Sequence, residues 1–152
     1  MGIPDKRIPE MDADNQLNIL IVDDSEDTRM MLEAMLKGQN RVIDTAENGI
    51  LGFERFKQKP YDLVLLDMAM PLMDGLTATQ QIRNWESLKK RKKTCIFICS
   101  AYPLKAGVDR ADFEGLWDAY LLKPVKQDKL LQAVKDCLPD RYSALFSVSE
   151  KA

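Results

Sequence analysis

From residue 17 onward, short apolar runs alternate with stretches of helical period, the pattern of repeated strand-helix units around a parallel sheet. The run 17–22 reads as a strand. A helix over 26–37 follows it, with Met31, Leu32, Met35 and Leu36 on one face. Ser25 suits its N-cap, Glu26 and Asp27 suit the positive end of its dipole, and Gly38 suits its stop. The second unit pairs a strand at 41–45 with a helix at 49–58, where Ile50, Phe53 and Phe56 are spaced for burial and Pro60 closes the segment. The third strand, 62–66, is a continuous Leu/Val run, as expected when both faces of a strand are covered. Its helix, 75–88, buries Ala78, Ile82 and Trp85. A fourth strand at 95–99 precedes a short helix around 104–112 that contains Gly107. The fifth strand is 119–122. In the helix 127–138 that follows, Leu130, Leu131, Val134, Cys137 and Leu138 match an amphipathic template, and Pro139 ends it. The pattern predicts an α/β fold with a five-stranded parallel sheet.

Composition narrows what such a fold does here. The 152 residues suit one domain, with a loose polar leader at 1–16, a folded unit at 17–138 and a short tail at 139–152. With 22 basic and 24 acidic side chains the formal charge is −2, so nothing draws the whole surface to nucleic acid or anionic membrane. No histidine is present, which excludes a phosphohistidine donor, a Ser-His-Asp triad and an imidazole metal site. The longest wholly apolar run, 95–99, is far short of the roughly eighteen residues of a membrane span, so a cytoplasmic location is expected. Cys95, Cys99 and Cys137 are an odd number. The first two would lie about 13 Å apart along one strand, too far to bridge, and all three read as reduced core residues.

Polar side chains follow the strands in a telling order. Asp23 and Asp24 follow the first, Asp67 the third, Ser100 the fourth and Lys123 the fifth. In an open parallel sheet these positions share the carboxyl edge, where ligands bind. Each alone has a bland explanation as a cap, a turn or a surface lysine; their joint placement does not. Three carboxylates meeting in one pocket repel, and a divalent cation is the simplest remedy. All-oxygen ligands suit Mg²⁺, with Mn²⁺ as a substitute. A carboxylate at an ordered strand end can then attack phosphorus to give an acyl phosphate, with Lys123 and the Ser100 hydroxyl on its other oxygens.

The segments LNILIVDDSEDTRMMLEAML, YDLVLLDMAMPLMDG, CIFICSAY and AYLLKP resemble the receiver domain of bacterial two-component response regulators, including the chemotaxis type, across residues 17–138. The resemblance implies a flavodoxin-like (βα)5 sheet of order 2-1-3-4-5. It makes Asp67 the phosphoacceptor, with Asp23, Asp24, Asp67 and the backbone carbonyl of Ala69 as ligands of Mg²⁺. Ser100 takes the switch hydroxyl position, Tyr120 the aromatic switch position and Lys123 the phosphate-binding position, with a cis peptide before Pro124. The implied donor is a phosphohistidine on a sensor histidine kinase or histidine phosphotransfer protein. The readout is a partner-binding face, moved by the loop 100–105 and the helix after it, that engages an output protein. Such a domain catalyses its own phosphorylation and dephosphorylation and turns over no external substrate. Without a visible output domain, the chain is expected to act through a partner or to be a piece of a hybrid kinase or larger regulator.

Two positions depart from the pattern. Ala69 stands where a polar side chain is common, and bulky Tyr102 is placed to shield the acyl phosphate; both point to slow or intermediate dephosphorylation. Three other readings remain. A small-substrate phosphatase using an aspartyl phosphate wants a second acid at position 69. A flavin module would have its phosphate repelled by Asp23 and Asp24. A phosphorylation-independent interaction domain needs only the fold. The basic run 89–93 falls at the opposite, amino edge of the sheet and reads as solvated, with no aromatic platform for nucleic acid. Met68, Met70 and Met73 read as loop packing.

Overall fold

The computed structural model describes residues 16–104 and 115–145. Strands β1 (Leu17–Val22), β2 (Arg41–Ala46), β3 (Leu63–Asp67), β4 (Cys95–Ser100) and β5 (Ala119–Leu122) form one parallel sheet in the order β2-β1-β3-β4-β5. Helices α1 (Glu26–Leu36), α2 (Gly49–Phe56), α3 (Gly75–Lys89), α4 (Gln127–Cys137) and α5 (Pro139–Leu145) cover it, giving the flavodoxin-like α/β fold. The helix expected around 104–112 lies outside the described residues apart from Leu104. Among the described residues no helix is long and apolar enough to cross a membrane.

Alternation along the strands divides the core into two layers. Leu17, Ile19, Ile21, Leu63, Leu65 and Phe97 face α1, α4 and α5, where Leu32, Leu36, Leu130, Val134 and Tyr142 meet them. Leu20, Val22, Val64, Leu66, Ile96 and Ile98 face the other way, onto Phe56 of α2 and Ala78 and Ile82 of α3. Central strands β3 and β4 are buried along their whole length, which is why they read as unbroken apolar runs.

Three expectations are corrected. Ile50 is exposed, and the face of α2 turned to the sheet carries Gly49, Gly52 and Phe56. A Cβ on Gly52 would stand 2.7 Å from Val22 Cγ2, so the helix packs too closely there for a larger residue; Phe56 and Phe53 still reach the core, and Ile50 alone of the three turns outward. Residues 139–145, expected as tail, form α5: Pro139 is tolerated in a first helical turn, and Tyr142 returns to the core. Cys95 and Cys137 are not reduced thiols but a disulfide, and Cys99 alone is free and buried. Periodicity compares neighbours on one element. It could not see that the start of β4 and the end of α4 meet.

At the β2 edge, the Tyr61 hydroxyl donates to Asp44 Oδ2 at 2.6 Å and Lys59 pairs with the same oxygen at 3.0 Å. Burial alone would raise the Asp44 carboxyl, but Tyr61 and Lys59 outweigh it and hold it below its ordinary value. The stabilisation is therefore complete above the unfolded carboxylate value, about 3.9, and lost as pH falls through the lower folded one. In Tyr61→Phe, unfolding free energy measured by urea titration between about pH 4 and pH 2 should depend less steeply on pH than in the wild type. Phe97→Ala, which empties the centre of β4, should lower the same free energy at neutral pH by about 3–5 kcal/mol.

Candidate functional site

Strand register builds the site. Val22 of β1 lies beside Leu66 of β3, so the next residues, Asp23 and Asp67, are neighbours at the carboxyl edge. Asp67 lies opposite Cys99 of β4, and Ser100 opposite Leu122 of β5, which brings Ser100 and Lys123 to the same edge. The pairing extends past the strand ends: the Met68 N–H donates to the Cys99 carbonyl and the Lys123 N–H to the Ser100 carbonyl, both at 2.8 Å. The Lys123–Pro124 peptide is cis, as the resemblance implied.

Asp23 and Asp67 are buried, and Asp24 is exposed at the rim. Oxygens of the three carboxylates lie within 4.8 Å of one another. The Lys123 ammonium donates to Asp23 Oδ2 at 2.9 Å and to Asp67 Oδ1 at 3.0 Å, bridging residues 100 and 56 positions away in the chain. Asp23 is fixed further by the Ser25 N–H, which donates to Oδ1 at 2.9 Å, while the Ser25 hydroxyl caps α1 by accepting from the Thr28 N–H. Burial pushes the Asp67 carboxyl above its ordinary value, Lys123 opposes the rise, and Asp23 and Asp24 add to it. For Lys123, burial pulls the ammonium down, but its bonds and attraction to Asp23 and Asp67 outweigh this and leave it raised.

The loop after β3 is set by close approach. The Gly75 N–H donates to the Met68 carbonyl at 2.9 Å, and a Cβ on Gly75 would stand 2.5 Å from the Asp67 carbonyl oxygen. Glycine thus lets the start of α3, capped by Asp74, sit directly against the residue that ends β3. The Ala69 N–H points back at Asp67 Oδ1, 3.4 Å away. Ser100 is buried, and its Oγ accepts from the Tyr102 N–H at 3.1 Å. Tyr120 lies on β5, half-buried against Trp117, and its hydroxyl donates to the Tyr102 carbonyl at 2.6 Å. Asp23, Asp24, Asp67, Ala69, Ser100 and Lys123 therefore fall on this edge or on the loops from it, and Tyr120 lies within β5, opposite Ile98.

Arg83 was missed. From α3 its guanidinium donates to the carbonyls of Thr94 and Leu116 and to the carboxylates of Glu86 and Asp118, and Asp118 Oδ2 also accepts from the Ile96 N–H. This network fixes where β4 and β5 begin. A single arginine in a mixed-charge helix carries no sequence signal of it.

The donor set fits a hard divalent cation: clustered carboxylate oxygens, with no nitrogen or sulfur among them. In sequence and fold the chain is similar to known proteins. The chemotaxis protein CheY of Bacillus subtilis is 36% identical over 121 residues, covering 79% of this chain and 96% of that protein. Borrelia burgdorferi CheY, solved in a CheX-CheY-BeF3-Mg²⁺ complex, superposes with a TM-score of 0.67 at 30% identity, covering 79% of this chain and 87% of the other. The receiver domain of a sensor histidine kinase from Pseudomonas aeruginosa, solved with a magnesium ion in its active-site cleft, superposes with a TM-score of 0.66 at 27% identity, covering 80% and 96%. The family profile described as "Response regulator receiver domain" matches residues 19–135, and with it this chain belongs to the receiver domains of two-component signalling systems.

Proposed function

We propose that Asp67 is the phosphoacceptor, that Asp23, Asp24, Asp67 and the Ala69 carbonyl hold Mg²⁺, and that Lys123 binds the phosphoryl group. The observation that supports this best is the Lys123 ammonium bridging two buried carboxylates, with a third within reach. Bound Mg²⁺ supplies positive charge to the oxygens of the transferring group. An Asp67 carboxylate oxygen attacks phosphorus in line, the phosphorus–nitrogen bond to a partner's phosphohistidine breaks, and the electron pair leaves with the imidazole. Lys123 then exchanges its bond to Asp67 Oδ1 for a phosphoryl oxygen, and the Ser100 hydroxyl donates to another. That draws Ser100 inward and shifts the loop through Tyr102, whose carbonyl holds the Tyr120 hydroxyl. Tyr120 thereby reports the state of Asp67 to the surface made by β5 and α4.

In this reading the donor is a sensor histidine kinase or histidine phosphotransfer protein and the receiver of the signal is an output protein that docks on that surface. The unit that carries the function runs from residue 17 through α5. No second acid stands at position 69, which argues against an enzyme that releases phosphate from small substrates.

Incubation with acetyl phosphate and Mg²⁺ should add one phosphoryl group by intact mass, and Asp67→Ala should abolish the adduct. An unchanged wild-type mass, under conditions that label a control receiver, would favour a domain that works by its fold alone. The adduct should decay over minutes or longer, because Ala69 offers no polar side chain to a hydrolytic water and exposed Tyr102 flanks the site. Tyr102→Ala should shorten the lifetime several-fold; a wild-type lifetime of seconds would contradict the shielding role.

A further inference from the structure

At the amino edge of the sheet, remote from the phosphorylation site, the Cys95–Cys137 disulfide lies in the wall of a cavity of about 520 Å³. Lys59, Arg91, Lys92, Lys93 and Arg141 line the same cavity. Arg91 stacks over Trp85 at 5.1 Å, Arg141 pairs with Asp62 and Lys59 with Asp44. The acids of the lining are Asp62, Glu86 and Asp140, and Glu86 is buried against Arg83, so cations outnumber acids. Cys95 is buried while Cys137, at the end of α4, is half-buried, which makes its sulfur the more open to attack.

We propose that Cys95 and Cys137 form a reversible thiol–disulfide switch that exchanges with an anionic low-molecular-weight thiol admitted through this basic cavity. A thiolate attacks Cys137 Sγ, the bond to Cys95 breaks, and Cys95 leaves as a thiolate that takes up a proton. A second small thiolate then attacks the mixed disulfide at the small-molecule sulfur and releases Cys137, which is protonated in turn. The protein gains two electrons and two protons, and two small thiols become one disulfide. The cations of the cavity attract the incoming anion. The Asp118 carboxylate, within 4.8 Å of both sulfurs, is itself paired with Arg83. The fold has the means to persist in both states. Leu130, Val134 and Tyr142 bury α4 and α5 independently of the bond, and Arg141 pins α5 to Asp62 at 3.1 Å. The switch stands on its own observations and does not depend on phosphorylation of Asp67.

The test equilibrates the full chain with defined ratios of reduced and oxidised glutathione, traps thiols with an alkylating agent under native conditions, and counts them by intact mass. Cys99, buried and with its thiol pushed up to about 12, stays unlabelled as an internal reference. Two alkylations should appear and disappear together as the ratio changes, and this paired change should be absent in Cys137→Ser, whose remaining Cys95 has no partner. Reduction by glutathione relative to uncharged 2-mercaptoethanol, each corrected for its thiolate fraction, should slow several-fold in Lys92→Glu/Lys93→Glu. Three results would overturn the proposal: a pair that stays reduced at every ratio, a bond that glutathione leaves intact in the folded chain, or a relative rate the charge reversal does not change.

Discussion

Two buried carboxylates and a third at the rim, gathered within 4.8 Å, repel one another strongly, and a lysine reached across the sheet, bonded to two of them, opposes that repulsion. At an effective dielectric constant of 20, unit charges 4 Å apart interact by about 4 kcal/mol, so neither the repulsion nor the attraction is small beside a domain's net stability. Among the described residues, Lys123 bonds two of the three carboxylates, and the Arg29 guanidinium donates to the Asp23 carbonyl at 2.8 Å. In the proposed function a divalent cation would offset the remaining repulsion, and an arriving phosphoryl group would alter the balance again. The pocket is thus held in an electrostatically unfinished state, and its chemistry follows from completing it. Such a site costs stability that the two core layers must provide.

The sheet makes the site with little help from side-chain packing nearby. A parallel register places the residue after each strand beside the residue after its neighbour, so acids and lysine converge from positions far apart in sequence. The opposite edge of the same strands carries a different set of groups, with Cys95 at one end of β4 and Ser100 at the other. A single strand therefore joins a charge-sensitive edge to a sulfur-bearing one. Arg83 and its four acceptors fix the starts of β4 and β5 beside the sulfur-bearing edge.

Strands and amphipathic helices were legible because burial on a regular element leaves a period. The carboxyl edge was legible because topology converts strand ends into neighbours. Ile50 misled because α2 presents Gly52 to Val22 and Gly49 to Met73, and a glycine has no side chain to contribute to an apolar stripe. The disulfide was invisible for a related reason: Cys95 and Cys137 fitted a buried strand and an apolar helix face, and their meeting depends on where α4 ends above the sheet. Residues 139–145 read as tail because Pro139 looks like a stop, although it equally opens a helix.

The central claim is that Asp23, Asp24 and Asp67 act as one cation site completed against Lys123. Calorimetric titration of the chain with Mg²⁺ measures it most directly. The account predicts one ion per chain, with binding weakened at least tenfold by Asp23→Asn and by Asp67→Asn, both folded by circular dichroism. Binding of unchanged affinity in the two variants would place the ion elsewhere and contradict it.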